Sequence, residues 1–347
     1  MRINISDDAV SLLNLPDNLV PDSGPVASPD GKHLALVIDG ALWRVSVTPA
    51  GIITGQPARV ADELVESPTW HADSSRITGL TNNGLTTIPL AGSPRIERNP
   101  GQTWQPASGN GRKIIHAGRL LTGATGYEEN VDILVDGARI IAVDQHADHA
   151  DDIQVIDASG QTVLPGLIDH HTHFEPHKGE WVGRSLLAFG VTTVVEPGGL
   201  PYESREHLEA WSSGTRMGPR LVFAGPQLDG ARRTFYFASH INSERRLRQE
   251  LERGERLGYG LVKTYRRMRP TLQKRTIELA HAEGLPVTAH AALRNLGSGG
   301  DRTEHMRGSS RLLSSTKQSD LLKSYADITT IYSATGASIT PTLVNQG

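Results

Sequence analysis

No cysteine occurs among the 347 residues. Disulfides and thiolate metal ligands are therefore excluded, and any metal site must use nitrogen and oxygen donors. Charge of a dominant sign is lacking as well. The 35 basic and 38 acidic residues leave a formal net charge of −3, so nothing calls for nucleic acid or an anionic membrane as partner. No window approaches the roughly 18 apolar residues of a membrane helix. Met1 to Val20 carries no basic start followed by a long apolar run, so no secretory signal is visible. Low-complexity tracts are missing too. What the chain has in quantity is turn formers, 36 Gly and 20 Pro, which punctuate many short elements.

Three regions follow one another. The first, residues 1–105, repeats itself: Ala27-Ser28-Pro29-Asp30-Gly31-Lys32-His33 is echoed by Trp70-His71-Ala72-Asp73-Ser74-Ser75-Arg76. Ser28 and His71 lie 43 positions apart, a spacing that suits one blade of a β-propeller. The pattern resembles the WD40-like repeats of TolB-type propellers. Two blades are fewer than the four to eight that close a ring, so unpaired edges are expected. The second region, residues 111–163, reads as short strands such as Lys113–Gly118 and Val131–Gly137, with Asp136-Gly137 as a hairpin turn. The third, residues 164–347, alternates apolar strands with helices. Ser243 to Gly258 and Thr271 to Glu283 are the clearest helices, the latter opened by Pro270 and closed by Gly284. Repeated strand–helix units predict an α/β fold with a parallel sheet, here a TIM-like barrel.

In such barrels the reactive groups sit at the C-terminal strand ends. The first strand ends in Leu164-Pro165-Gly166-Leu167-Ile168-Asp169-His170-His171-Thr172-His173. The i, i+2 spacing of His171 and His173 places both imidazoles on one face of a strand, where they could grip one cation. Later strand ends offer Glu196, Lys263 with Tyr265 and Arg266, His290, and His305. Four histidines and a lysine thus collect at one mouth.

The span from about Gly111 onward resembles the amidohydrolase superfamily, metal-dependent hydrolases with a distorted barrel and a small β-sandwich. The resemblance rests on Pro165-Gly166-Leu167-Ile168-Asp169-His170-His171-Thr172-His173, Gly190-Val191-Thr192-Thr193, Thr288-Ala289-His290 and Glu304-His305, and is closest to imidazolonepropionase-like and prolidase-like members. It implies that His171 and His173 hold a buried metal and that His290 and His305 hold a second. Lys263 falls where binuclear members carry a carbamylated bridging lysine. One or two zinc-like cations and a small-molecule substrate follow, with Glu196, His240, Tyr265 and Arg266 as candidates to line the pocket. Asp169 is expected to support the site and His170 to face away from it.

The expected reaction is hydrolysis of a carbon–nitrogen bond, in a cyclic amide or dipeptide-like substrate, by a metal-activated water. The family's general base is an Asp at the eighth strand end, and no catalytic residue of that kind is identified before Gly347. The barrel is accordingly expected to be incomplete, with about seven strands, and the chain to be a fragment or a short form that closes by homo-oligomerisation. The alternative is a catalytically inactive chain whose propeller half serves as a protein-interaction module.

Overall fold

The structure, a computed structural model, describes residues 23–91, 94–98, 103–123, 126–149, 152–174, 179–230, 235–305 and 332–342, and the strand pairs at 2–3 and 10–11. Strands β1 (Arg2–Ile3) and β2 (Val10–Ser11) form a short antiparallel pair. Two four-stranded antiparallel meanders follow. The first is β3 (Val26–Ala27), β4 (His33–Ile38), β5 (Ala41–Val47) and β6 (Ile53–Ala61). The second is β7 (Glu66–Trp70), β8 (Arg76–Thr81), β9 (Gly84–Pro89) and β10 (Ile96–Arg98).

The internal repeat appears atom for atom in the turns between β3 and β4 and between β7 and β8. Ser28 N–H donates to His33 O at 2.9 Å and Gly31 N–H to Ser28 O at 2.9 Å; His71 and Ser74 make the matching bonds to Arg76 O and His71 O at 3.0 and 2.9 Å. Asp30 Oδ1 accepts the Lys32 N–H at 3.1 Å, and Asp73 Oδ1 the Ser75 N–H at 3.0 Å. Gly31 and Ser74 occupy the same left-handed position, with φ of 70° and 57°. Glycine adopts that conformation freely and serine at a cost. The meanders share one core, with Val37, Leu42 and Val65 beside Trp70, Ile77 and Ile88. Trp70 Nε1 donates across to Val26 O at 2.9 Å.

The next sheet has the order β13-β12-β11-β14. It comprises β11 (Arg112–Leu120), β12 (Glu128–Asp136), β13 (Arg139–Gln145) and β14 (Gln154–Val163), with β14 parallel to β11. The β12–β13 hairpin turns at Gly137, φ 57°, as the Asp136-Gly137 step predicts.

The remainder is α/β. Strands β15 (Leu167–Asp169), β16 (Val191–Glu196) and β17 (Arg220–Phe223) form one parallel sheet. A second, in the order β19-β18-β20-β21-β22-β23, is parallel throughout. Its strands are β18 (Gln227–Asp229), β19 (Ala238–His240), β20 (Val262–Thr264), β21 (Val287–Ala289), β22 (Arg302–Glu304) and β23 (Ser338–Thr340). A backbone bond from Gly260 N to Phe223 O, 3.0 Å, carries the order from β17 toward β20. Among the described residues no ladder joins β23 to β15, so the strands make two open sheets rather than a closed ring. The seventh strand, expected over Ile339–Val344, is seen as Ser338–Thr340; residues 343–347 lie outside the described residues.

The sheets are covered by helices α1 (Glu180–Ala188), α2 (Pro201–Ser212), α3 (Glu244–Leu257), α4 (Pro270–Ala282) and α5 (Ala292–Leu296). The boundaries of α3 follow from its sequence. Ser243 caps the start by accepting the Arg246 N–H, and Gly258 ends it in the left-handed region at φ 79°. Leu247 and Leu251 of α3 and Leu272 and Ile277 of α4 pack on Leu228, Val262 and Val287 beneath. No helix among the described residues is long and apolar enough to cross a membrane.

The meanders dock on α2, α3 and the β19 end. Arg253 pairs with Glu250 on its own helix and reaches Glu66 of β7, all of them buried or nearly so. Gln249 Nε2 donates to Asp62 O at 2.8 Å and Tyr202 OH to Thr81 O at 3.2 Å. Between the two parts lies a cavity of about 210 Å³, walled by Asp39, Leu64 and Ser67 on one side and Tyr202, Phe237 and His240 on the other.

Candidate functional site

Each candidate histidine ligand sits just beyond the C-terminal end of a parallel strand, and Lys263 lies within one. The β15 strand stops at Asp169, so His171 and His173 lie on the segment after it and not on the strand itself. The turn has a local cause: Asp169 Oδ1 accepts the His171 N–H at 2.9 Å and bends the chain. The two rings still converge, 5.1 Å apart between centroids and nearly perpendicular at 88°. The His305 ring, directly after β22, lies 4.5 Å from His171 at a tilt of 54°, and the His290 ring, after β21, lies edge-on 4.8 Å from His305. The four imidazoles therefore form a chain, His173–His171–His305–His290.

Their second nitrogens are tied back. His173 Nδ1–H donates to Gly198 O at 2.7 Å, and His171 Nδ1–H to Glu304 Oε2 at 2.7 Å. Each ring thus directs its Nε2 to a further partner, the arrangement in which metal-binding histidines are usually held. His305 Nδ1 pairs with Thr342 Oγ1 at 2.6 Å. His290 is engaged differently, its Nε2 accepting from Arg266 Nη2 at 2.6 Å.

Lys263, in the middle of β20, is 1% exposed, and no hydrogen-bond partner for its Nζ is found among the described residues. Burial pulls its pKa down to about 8, while Glu304 acts in the opposite sense. Burial alone would raise the Glu304 carboxyl. The Lys263 charge, the His171 hydrogen bond and Arg302 outweigh it and hold the group well below the usual carboxylate range. Burial, followed by Lys263 and Arg266, pushes His290 down to about 2. Burial and His171 bring His173 and His305 each to about 4. At neutral pH all three rings are uncharged and can offer lone pairs, as coordination requires. The donor set thus fits a divalent cation: nitrogens fixed by their far sides, one buried carboxylate and one unpartnered amine.

The four pocket candidates divide. Tyr265 and Arg266 are at the site: the Tyr265 ring lies 4.6 Å from His290, and the Arg266 guanidinium 5.6 Å from the Tyr265 ring centroid. Glu196 ends β16 but is 2% exposed, bound by Ser204 Oγ at 2.6 Å and Phe174 N at 3.1 Å. Burial pushes its pKa up to about 7. His240 belongs to the cavity between the two parts, where its Nδ1 pairs with Asp39 Oδ1 at 2.7 Å. Phe237, two residues earlier, stacks 5.9 Å from His173 and also walls that cavity. His170, expected to face away, accepts at Nδ1 from Arg302 Nη1 at 3.2 Å, and Arg302 in turn pairs with Glu304 at 2.9 Å.

The sequence did not single out Glu304 as a partner of His171 and Lys263; its place at a strand end before His305 was the available signal. Nor did it mark His116, Asp132 and His146, whose donor atoms lie within 4.8 Å of one another. These three come from β11, β12 and the segment after β13 and carry no linear spacing.

A model of the amidohydrolase family matches residues 162–346, just over half of the chain. A dihydroorotase of Streptococcus thermophilus (strain CNRZ 1066) is 42% identical over 88 residues, 24% of this chain and 21% of the relative. Adenine deaminase 2 of Rhizobium etli is 41% identical over 85 residues, 24% of this chain and 14% of the relative. The matched stretch is thus about a fifth or less of each curated relative's length. Among solved structures, a Xaa-Pro dipeptidase with bound methionine superposes with a TM-score of 0.55 at 18% identity, over 67% of each chain. The A. niger ochratoxinase superposes with a TM-score of 0.51 at 17% identity, over 67% of this chain and 65% of that one. These structural likenesses speak to the fold.

Proposed function

Given that this chain belongs to the amidohydrolase family, we propose that it carries the metal-binding half of a hydrolase that cleaves carbon–nitrogen bonds in small amide substrates. The observation that carries the reading is the pair His171 and His173, each with Nδ1 donated to an acceptor and Nε2 left to a further partner, beside the buried, unpartnered Lys263 Nζ. His171, His173, His290 and His305 would hold one or two divalent cations, zinc being the borderline ion that imidazole suits. Such a cation supplies Lewis-acid polarisation of a carbonyl and acidification of water.

The chain's own residues prepare that chemistry. Glu304 orients His171 and keeps its Nδ1 protonated, so that Nε2 is the donor atom. Gly198 O does the same for His173. Lys263, with its pKa lowered to about 8, has a larger neutral fraction at pH 7 to 8 than an ordinary lysine. Its amine can add to the carbon of CO₂ and lose one proton, leaving a carbamate anion where a cation stood. Arg266, beside Tyr265, is the group suited to a substrate carboxylate, since a guanidinium binds it through two parallel N–H bonds. Dipeptide-like or ring-opened amide substrates present such a carboxylate, and dihydroorotase and Xaa-Pro dipeptidase are among the names of the similar proteins.

The strand–helix region is read here as a distorted, open barrel with β11–β14 as its small sandwich sheet. The two meanders are read as propeller blades, on the support of their identical Asp-anchored turns. The test is to load the chain with Zn²⁺, measure metal content, and assay a panel of cyclic amides and dipeptides. Metal content that falls by one equivalent or more on His171→Ala and His173→Ala supports the reading. Metal content unchanged by both substitutions refutes it.

A further inference from the structure

Outside the strand-end site, the sandwich sheet gathers three imidazoles around one carboxylate. Asp132 of β12 is 7% exposed at its side chain. Its Oδ1 lies 2.8 Å from His116 Nδ1 and 3.1 Å from His146 Nδ1. Its Oδ2 lies 3.0 Å from His146 Nδ1, accepts the Ala147 N–H at 3.1 Å and pairs with His149 Nε2 at 2.7 Å. From this the geometry points to a divalent-cation site of the zinc class at His116 Nδ1, Asp132 Oδ1 and His146 Nδ1, distinct from the strand-end histidines.

Three observations carry it. The three donor atoms lie within 4.8 Å of one another. Donors about 2.1 Å from a tetrahedral zinc are about 3.4 Å apart, so small side-chain rotations admit the ion. The donors also come from three different segments held in fixed register: His116 and Asp132 are direct cross-strand partners, and His146 follows the end of β13, pinned by His146 N–H to Asn130 O at 3.0 Å. The remaining oxygen of Asp132 is held by Ala147 N–H and His149, so the carboxylate is oriented without help from the ion, as well-built metal sites require.

The charge pattern is the third. Across the four strands the register places Asp144, Asp132, His116 and Asp157 in one row. Three carboxylates and a single imidazole stand side by side, and like charges directly opposite each other in a sheet repel. A dication at the His116–Asp132 step offsets that repulsion. Binding takes each coordinating imidazole in the neutral tautomer that carries its proton on Nε2, so the proton moves from Nδ1 to Nε2 and the hydrogen bonds to Asp132 give way to coordination. The His146 side chain is 36% exposed, so the ion can enter from water and keep water in its remaining positions. Its role is structural: it cross-links β11, β12 and the segment after β13.

The experiment is Zn²⁺ titration of the chelator-treated full chain, followed calorimetrically, with Co²⁺ absorption as a report on nitrogen ligation. A chain carrying His171→Ala and His173→Ala is titrated in parallel. The expected result is that about one equivalent still binds to this variant, raises its thermal midpoint, and binds at least tenfold more weakly once Asp132→Asn is added. Asp132→Asn alone on the otherwise unaltered chain lowers the stoichiometry by about one equivalent, which keeps the test valid if the multiple variant does not fold. Stoichiometry and affinity unchanged by both Asp132→Asn and His116→Gln overturn the site. The outcome is independent of whether the strand-end histidines bind metal.

Discussion

Replacing Glu196 with glutamine should make this protein more stable in alkaline solution and leave it unchanged in acid. The carboxyl is 2% exposed, and burial lifts its pKa from 4.5 to about 7. In the unfolded chain it ionises near 4.5; in the folded chain it stays protonated until about pH 7. Between those values the native state holds the extra proton, so stability falls as pH rises. A shift of this size, at about 1.4 kcal/mol per unit, amounts to about 3 kcal/mol of destabilisation above pH 7 and nothing below pH 4.5. Glutamine removes the titration and preserves the contacts. Its carbonyl can accept the Phe174 N–H, and its amide can donate to Ser204 Oγ, whose own hydrogen already reaches Leu200 O at 3.0 Å. The assay is urea unfolding at pH 5, 6, 7 and 8 at constant ionic strength, read by tryptophan fluorescence. Trp211 reports locally, because it packs edge-on against Phe174 at 5.2 Å. Parallel stability–pH curves for the two proteins, or a less stable variant at pH 8, would refute the reasoning.

Four other outcomes are expected. His171→Ala or His173→Ala should strip metal from the strand-end site and lower kcat/KM on any hydrolysed amide by at least about 100-fold, as metal analysis beside steady-state assays will show. Lys263→Met removes a buried ammonium that has no hydrogen-bond partner among the described residues, while Arg302 and His171 still hold Glu304, so it should be neutral or stabilising by chemical denaturation, by up to about 4 kcal/mol. Gly183→Ala places a Cβ 2.2 Å from Met217 O, a backbone atom that cannot swing away, so α1 must lift and the thermal midpoint should drop, at about 3 kcal/mol. Arg253→Met removes the cation that joins Glu250 to Glu66 at the junction with the meanders, and although Arg246 still pairs with Glu250 at 3.3 Å, it should cost about 3 kcal/mol, read by the same denaturation.

Elements whose ends are chemically marked were legible in the sequence. Ser243 and Gly258 bracket α3, Pro270 opens α4, and Asp136-Gly137 makes the β12–β13 turn. The repeat was legible because an Asp-anchored turn needs the same residue types each time. Strand β14 was not, since Gln154–Val163 is almost wholly exposed and carries no buried apolar face. The strand-end histidines could be located because parallel strands are short and their ends punctuated. The partner each ring would choose could not. Glu304 reaching His171, Arg266 reaching His290 and Asp39 reaching His240 are contacts between residues far apart in the chain. Such pairings are set by packing, and no local pattern encodes them.

The cavity between the meanders and the α/β part has a consequence for how this protein can change. Its walls belong to the meanders on one side and the α/β part on the other, so Leu64 and Ser67 can be exchanged without replacing Asp169, Gly198 or Glu304, which hold His171 and His173. Phe237 belongs to both neighbourhoods, lining the cavity and lying 5.9 Å from the His173 ring. Substitutions in the meander wall of the cavity and substitutions among the strand-end histidines thereby fall on different stretches of chain, with the Phe237 ring touching both neighbourhoods.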